Sequence, residues 1–396
     1  RYISVTGVQT CALPISPIGR MKGLAMTRLH VIALLASTIV TLAHPVLAEP
    51  YIAFREGLKC STCHVNQTGG GMRTEYGSYY PQTDMQPLLG NLSDASADFS
   101  NQVGDSFFLG ADFMAVEERS FAVDEVKDGQ SYAQDAQHTF DIRRGNIYLE
   151  ARLAPERLSL YIDETVSPSG ASSREAFVLL KGLPKSSYLK VGRMLLPYGI
   201  RLWDNDAFIR QVTGFNFDNQ DMGAEIGFEP GMASFSLALS NGTQGARDDN
   251  SAKQVSSVGS IYFKYLLIGG SFSINETRGI DRTLFGPFAS LRLGPLTITG
   301  EADWLSESGN RNQDQFIAYG SINYWMRQSV NFRVAFDFLD PYDTVEEDER
   351  SRVSIGLDGF LTPNLTASAF YKLKKSIPQD SKGNADALTL ALHAFF

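Results

Sequence analysis

The chain has 396 residues, with 35 Lys and Arg against 44 Asp and Glu, which gives a formal net charge of -9 at pH 7. This acidic balance argues against a nucleic-acid partner, which would call for a basic patch. Apart from one short run near the N-terminus the sequence has no long apolar segment, which excludes a helical membrane protein but leaves open a transmembrane β-barrel, whose strands hide their hydrophobicity in alternation.

The N-terminal region reads as two segments that do not belong to the working protein. Residues 1–20 include a string that resembles a translated sequencing adapter, and we interpret them as a sequencing or assembly artefact. Residues 21–48 have the pattern of a secretory signal peptide, with Lys22 and Arg28 before a short apolar run and the small Ala48 at its end. That run is shorter than the roughly 20 residues that a membrane-spanning helix needs. We therefore expect the mature protein to start after Ala48.

The mature chain carries one motif with specific chemistry. Cys60, Cys63 and His64 form C-x-x-C-H, the attachment signature of a c-type haem. Each thiol adds to one vinyl group of the haem, and His64 becomes the proximal ligand of the iron. Because this attachment takes place outside the cytoplasm, the motif and the signal peptide support each other. The sequence therefore predicts one covalent haem c.

Three other interpretations of the cysteine pair fit the sequence less well. A thioredoxin-like redox pair would lie in a βαβ context, and a zinc site would need further ligands close by; the sequence offers neither. A chance match is less expected where Cys60 and Cys63 are the only cysteines of the mature chain.

The sixth ligand of the haem iron stays open. Met72 follows a run of three glycines and could fold over the haem, and Met85 has the longer reach. For either methionine, ordinary apolar packing is the simpler interpretation. His393 is a third candidate, because the alternation of its segment points it to the polar face.

From residue 105 to 396 the chain consists of short alternating segments separated by turns. Short connections alternate with long ones, as periplasmic turns and outer loops do in barrels, and the last segment closes on Phe396, as in outer-membrane insertion signals. We therefore predict an all-β fold, an antiparallel transmembrane barrel of about 16 strands in the bacterial outer membrane. The segments begin near Ser106, Thr139, Leu158, Glu175, Tyr188, Met222, Met232, Gln254, Leu266, Thr283, Leu296, Gln315, Ser329, Arg352, Leu365 and Ala385.

The longest loop follows the fifth segment. Its start, from Gly192 to Arg201, resembles the G-[QR]-x-x-x-P-[FY]-G stretch of anion-selective porins, whose loop folds into the pore. This resemblance implies that Arg193, Arg201 and Arg210 line the pore. The alternative is that these arginines pair with lumen carboxylates such as Asp204 and Asp206.

Residues 49–104 form the mono-haem module. They contain few apolar residues, and a unit of this size hardly supplies a core of its own. Since larger barrels are known to be plugged from within, we expect the module to lie in or under the lumen of the barrel formed by residues 105–396.

A C-x-x-C-H motif near the mature N-terminus, followed directly by about sixteen strands, resembles the fused cytochrome–porins of the bacterial outer membrane, which include proteins of iron oxidisers. The resemblance covers nearly all of the mature chain. The flanks 55–59 and 69–73 of the motif are similar to a subgroup whose substrate is not assigned.

The resemblance implies an electron-transfer haem protein rather than a hydrolase or transferase. Its expected partners are outer-membrane lipid, a periplasmic cytochrome or other electron carrier, and an extracellular electron donor or acceptor, with ferrous iron as one candidate donor. The alternative is a substrate-uptake porin whose haem module is a plug or a redox sensor. A haem peroxidase is less expected, because the mature chain has only three histidines to supply a distal acid–base group.

Overall fold

The computed structural model describes residues 50–89, 101–127, 130–168, 170–248, 250–277, 279–310 and 312–396, all within one compact unit. The predicted artefact, the predicted signal peptide and residues 90–100 of the predicted module therefore lie outside the described residues. Within the described ranges, no helix is long and apolar enough to cross a membrane.

The strands dominate the described chain. In order they are β1 (Gln102–Val103), β2 (Phe107–Ser120), β3 (Val123–Lys127), β4 (Gln130–Gln134), β5 (Gln137–Ala154), β6 (Leu158–Ser167), β7 (Ser172–Leu183), β8 (Ser187–Leu195), β9 (Gln220–Phe228), β10 (Ala233–Ser240), β11 (Gln254–Tyr262), β12 (Leu266–Thr277), β13 (Ile280–Leu293), β14 (Leu296–Gly309), β15 (Gln313–Arg327), β16 (Val330–Asp340), β17 (Arg350–Thr362), β18 (Leu365–Lys375) and β19 (Ala387–Phe395).

Sixteen of these described strands, β2 and β5–β19, form one closed antiparallel barrel. Each of these strands pairs with the barrel strand that follows it along the chain, so β2 pairs with β5, and β19 closes the ring by pairing with β2. The short β1 pairs with β2, and β3 and β4 form a separate hairpin. The prediction of an all-β, 16-stranded antiparallel barrel is confirmed, and each predicted segment corresponds to one barrel strand.

The first long loop is smaller than the sequence predicts. The sequence predicts a long connection over residues 116–138, but β2 continues to Ser120 and β5 starts at Gln137. The ladder between these strands runs as far as Ser120 and Gln137. Backbone hydrogen bonds can extend a strand pair into water without an apolar face, so hydropathy alone places the end of these strands too early.

Alternation separates an apolar exterior from a polar interior. On β14, Ile298 and Trp304 are exposed on the outer face, whereas Thr297 and Asp303 are fully buried inside. This is the arrangement that lipid demands of a barrel wall. It is consistent with the expected location in the bacterial outer membrane.

Five short helices complete the described elements: α1 (Pro50–Glu56), α2 (Cys60–Cys63), α3 (Glu75–Thr83), α4 (Phe208–Gln211) and α5 (Ser381–Asn384). Residues 50–89, with α1–α3, pack against the inner wall at the end of the barrel that has the short turns. There, Arg55 Nη1 donates to Gly294 O (3.2 Å) and Lys59 Nζ donates to Glu229 O (2.7 Å), both in short turns.

The connection between β8 and β9, residues 196–219, enters the lumen from the opposite end. We call it the inner loop. The backbone N–H of Phe208 donates to Asp337 Oδ1 (3.1 Å), and Arg282 Nη2 donates to Val212 O (2.7 Å), so two barrel strands hold it. The N-terminal segment and the inner loop thus approach each other inside the barrel.

Candidate haem site in the barrel lumen

The C-x-x-C-H motif is held between two local elements. Cys60 and Cys63 are the ends of α2, and the backbone N–H of His64 donates to Cys60 O (2.9 Å). His64 then pairs with Arg73 as an antiparallel bridge. Residues 64–73 therefore form a tight hairpin directly after the motif, which we call the motif hairpin.

The third helix fixes the position of the motif from the other side. Thr74 caps α3 by accepting the N–H of Gly77 (3.1 Å), and its own N–H donates to Cys63 O (3.0 Å). A Cβ on Gly77 would overlap with the carbonyl group of Cys63. Only glycine lets α3 approach α2 this closely.

Three glycines turn the motif hairpin. Gly69, Gly70 and Gly71 have φ values of +91°, +84° and +66°, a region that favours glycine. A Cβ on Gly69 would lie 3.4 Å from Cys60 Cβ, and one on Gly70 would lie 2.6 Å from the ring of Phe217. The run therefore packs the hairpin against both the motif and the inner loop.

A lumen pocket lies between the motif, the inner loop and the barrel wall. It encloses about 200 Å³, and Cys60, Cys63 and His64 all line it. Further lining residues are Asp112, Arg144, Arg201, Trp203, Tyr262 and His393.

Burial controls protonation of the motif. It lowers the pKa of His64 to about 4, with Arg73 lowering it further, so this imidazole is neutral at pH 7. Burial raises the pKa of Cys60 to about 11 and also raises the pKa of Cys63, and both cysteines are free of disulfide bonds. A neutral imidazole is the form that ligates a metal.

These residues fit a c-type haem. The two thiols and the imidazole line one pocket. Nδ1 of His64 is buried and has no hydrogen-bond partner among the described residues. In a bound state Cys60 and Cys63 would carry the thioether bonds, and His64 would ligate the iron.

The three candidates for the sixth ligand lie in different surroundings. His393, on β19, lines the pocket; its Nε2 is 2.6 Å from Asp112 Oδ1, and its Nδ1 is buried without a hydrogen-bond partner in the described part of the chain. Met72 packs in the main apolar cluster, and Met85 in a second cluster with Trp325. Neither methionine is among the residues that line the pocket.

The three arginines of the longest predicted loop also separate. Arg201 lines the lumen pocket. Arg210 is fully buried and donates to the carbonyl groups of Tyr198 (3.2 Å) and Ile200 (3.4 Å), both within the inner loop. Arg193 donates to the backbone carbonyl groups of residues 174 and 245.

The alternative pairing of these arginines is not what the structure has. Asp204 pairs with Arg352 (2.9 Å), and Asp206 pairs with Arg143 (3.2 Å). Arg143 and Arg352 lie on barrel strands, so Asp204 and Asp206 bind the wall rather than the arginines of their own loop.

Sequence reasoning missed Asp112, Arg144 and Trp203 as pocket residues. Asp112 and His393 are 281 positions apart and meet because β19 pairs with β2. The signal was present in part, since closure of a 16-stranded barrel brings the first and last strands together. The inward turn of the inner loop, which delivers Trp203, has no comparable pattern.

No family model matches the chain, and no curated protein matches it. Solved structures match the chain in fold. A loop L8 deletion mutant of OmpT, an outer membrane protein of Vibrio cholerae, is 11% identical, with a TM-score of 0.56 over 74% of this chain and all of that one. The anion-selective porin from Comamonas acidovorans is 10% identical (TM-score 0.54; 74% of this chain, 99% of that one).

The outer membrane channel DcaP of Acinetobacter baumannii is 8% identical, with a TM-score of 0.53 over 75% of this chain and 99% of that one. Likeness at these identities concerns the fold alone. It confirms the barrel fold of the expected architecture. The chain thus has the fold of 16-stranded outer-membrane porins.

Proposed function

We propose that this barrel holds one covalent haem c in its lumen and transfers electrons across the outer membrane. The observation that carries the proposal is that Cys60, Cys63 and His64 line one lumen pocket, with His393 on the wall of the same pocket. A bound haem supplies a one-electron carrier inside a wall that insulates it.

Residues of the chain would fix that carrier in place. Cys60 and Cys63 would anchor it to α2, and His64 would ligate the iron. We assign the sixth position to His393, because it is the candidate that lines the pocket and has a buried ring nitrogen without a partner in the described chain. Asp112 holds the other nitrogen of that ring and so sets its orientation.

The position of the pocket suits transfer between the two sides. The N-terminal segment lies on the side of the short turns, which face the periplasm in such barrels, and a periplasmic electron carrier would dock there. The inner loop covers the outer side. Exposed acidic residues such as Glu346 and Glu347 lie on a connection at that end and attract cations, which makes ferrous iron a candidate for the extracellular donor.

The test measures covalent attachment of the haem and electron transfer through it. The full protein, produced with the haem-attachment machinery, is expected to stain for covalent haem, whereas Cys60→Ser/Cys63→Ser is not; Ser61→Ala, between the two thiols, serves as the control. In liposomes with an enclosed electron acceptor, an external reductant should reduce that acceptor through the loaded protein alone. Haem retained by the double variant, or equal reduction by both proteins, contradicts the proposal.

A second candidate is a substrate-uptake porin whose haem module is a plug or redox sensor. The comparisons taken alone favour it, because the similar structures are porins and channels. Conductance in planar bilayers separates the two. Stable open channels in the loaded protein support uptake, whereas closed barrels that still pass electrons support the first proposal.

A further inference from the structure

Arg201 lines the lumen pocket and has N–H groups without an acceptor among the described residues. Its Nη2 donates to the backbone carbonyl of Leu196 (2.9 Å), which ties the side chain to its own loop. Its Nε and Nη1 are buried, and neither has a hydrogen-bond partner among the described residues. A buried guanidinium with unused N–H groups is unfavourable unless an acceptor meets it, so this side of the pocket fits an anion.

The nearby carboxylates are already engaged. Glu175 and Glu225 are the groups whose negative charge acts on Arg201. Glu175 accepts from Asn66 Nδ2 (2.8 Å), and Glu225 is paired with Lys190 (2.9 Å). Across the described chain, Arg201 has no ion pair within 4.0 Å.

Trp203 adds a second unused donor. It lines the same pocket, and its Nε1 is buried without a partner in the part of the chain that the structure describes. Arg144 Nη2 donates to the backbone carbonyl of Trp203 (3.4 Å), which ties the residue to the barrel wall. Two donor side chains, two positions apart on the inner loop, therefore belong to one pocket wall.

We propose that Arg201, with Trp203 beside it, forms a carboxylate subsite that binds the propionate groups of the haem. The inference rests on the proposed function, because the haem brings these carboxylates. A guanidinium fork matches a carboxylate in geometry and charge, and the indole offers one further N–H. A Cβ on Gly70 would lie 3.6 Å from Cδ of Arg201, so the motif hairpin and the Arg201 side chain are close together. The subsite would therefore join the motif hairpin to the inner loop through the haem.

The test uses the full, haem-loaded protein and four variants. Arg201→Gln removes the charge, Arg201→Lys keeps it without the fork, and Trp203→Phe removes one N–H but keeps a ring. Arg282→Gln is the control: Arg282 contacts the same inner loop, at Val212 O, but does not line the pocket. Haem staining, reduction potential and the propionate bending band in resonance Raman spectra are measured for each.

Arg201→Gln is expected to keep its covalent haem, to lower the reduction potential because a nearby positive charge favours the reduced iron, and to shift the propionate band. Arg201→Lys should fall between this variant and the wild type, and Arg282→Gln should match the wild type. Trp203→Phe should shift the propionate band, and it decides the matter if Arg201→Gln does not fold.

The inference would be overturned if Arg201→Gln and Trp203→Phe both kept the reduction potential and the propionate band of the wild type. It would also be overturned by a wild-type potential that responds to added acetate and loses this response in Arg201→Gln, because the subsite would then hold a soluble anion. Both results leave haem staining intact and the proposed function standing. Absence of haem from the wild type would instead overturn the proposed function.

Discussion

At the scale of single residues, the contact between His393 and Asp112 determines which nitrogen of His393 is available as a ligand. The short contact of Nε2 with Asp112 leaves Nδ1 as the nitrogen without a partner among the described residues. A carboxylate on one ring nitrogen orients a histidine ligand and strengthens its donor character. His393 would therefore ligate through Nδ1.

His393→Ala tests this assignment. With the sixth position open, the oxidised haem is expected to change from low spin to high spin, and added imidazole should restore the low-spin spectrum. The absorption and electron paramagnetic resonance spectra of the loaded protein give the answer. His138→Ala is the control, because His138 is exposed and paired with Glu117. An unchanged low-spin spectrum in His393→Ala would return the ligand to Met72 or Met85.

At the scale of elements, the motif hairpin is attached to the barrel by a buried polar network. Asn66 is fully buried; its Nδ2 donates to Glu175 (2.8 Å), and its Oδ1 accepts from Lys190 (3.1 Å). The backbone N–H of Met72 donates to the hydroxyl of Tyr161 (2.9 Å). Hydrogen bonds to buried polar side chains of the barrel thus hold the hairpin to the wall of the lumen.

Asn66→Ala is expected to loosen this attachment. Each hydrogen bond to a charged group contributes about 1.5–3 kcal/mol, so the opening free energy of the hairpin should fall by at least that amount. Hydrogen exchange of the Met72 amide measures it. Gln82→Ala is the control, since among the described residues Gln82 bonds only to Ser78 O, within α3. Equal protection of Met72 in both variants would show that the network does not hold the hairpin.

At the scale of the whole molecule, the exterior has the features of a lipid-facing wall. A row of aromatic rings crosses four neighbouring strands, with centroids of Phe285 and Trp304 6.1 Å apart, Trp304 and Phe316 5.2 Å, and Phe316 and Phe338 6.2 Å. Such girdles mark the membrane interface of barrels. Ile322 lies on the apolar band beyond this row and is 48% exposed.

Ile322→Arg should therefore be costly in lipid. A basic residue on the lipid face destabilises a barrel by about 2–4 kcal/mol at the midplane and less towards the interfaces. The free energy of unfolding by urea in lipid vesicles gives the value, with Ile322→Leu as the matched apolar variant. Equal stability of the two variants would mean that this face does not contact hydrocarbon.

The sequence by itself determined the strands and the motif. In a strand, a period of two residues places every second side chain on the same face. Alternation therefore located every barrel strand, although it placed the end of β2 too early, where the pairing of β2 with β5 extends beyond the apolar band. The spacing of Cys60, Cys63 and His64 is likewise local, because two intervening residues place both thiols on one short helix.

Only the tertiary structure decided which groups meet in the lumen. His393 meets Asp112 because the ring of strands closes, and Arg201 meets the motif hairpin because the inner loop turns inward from the far end. Such contacts join residues that are 131 and 281 positions apart. They depend on how polar side chains from all the barrel strands pack together in the lumen. Because that packing involves residues far apart in the chain, no local sequence pattern predicts it.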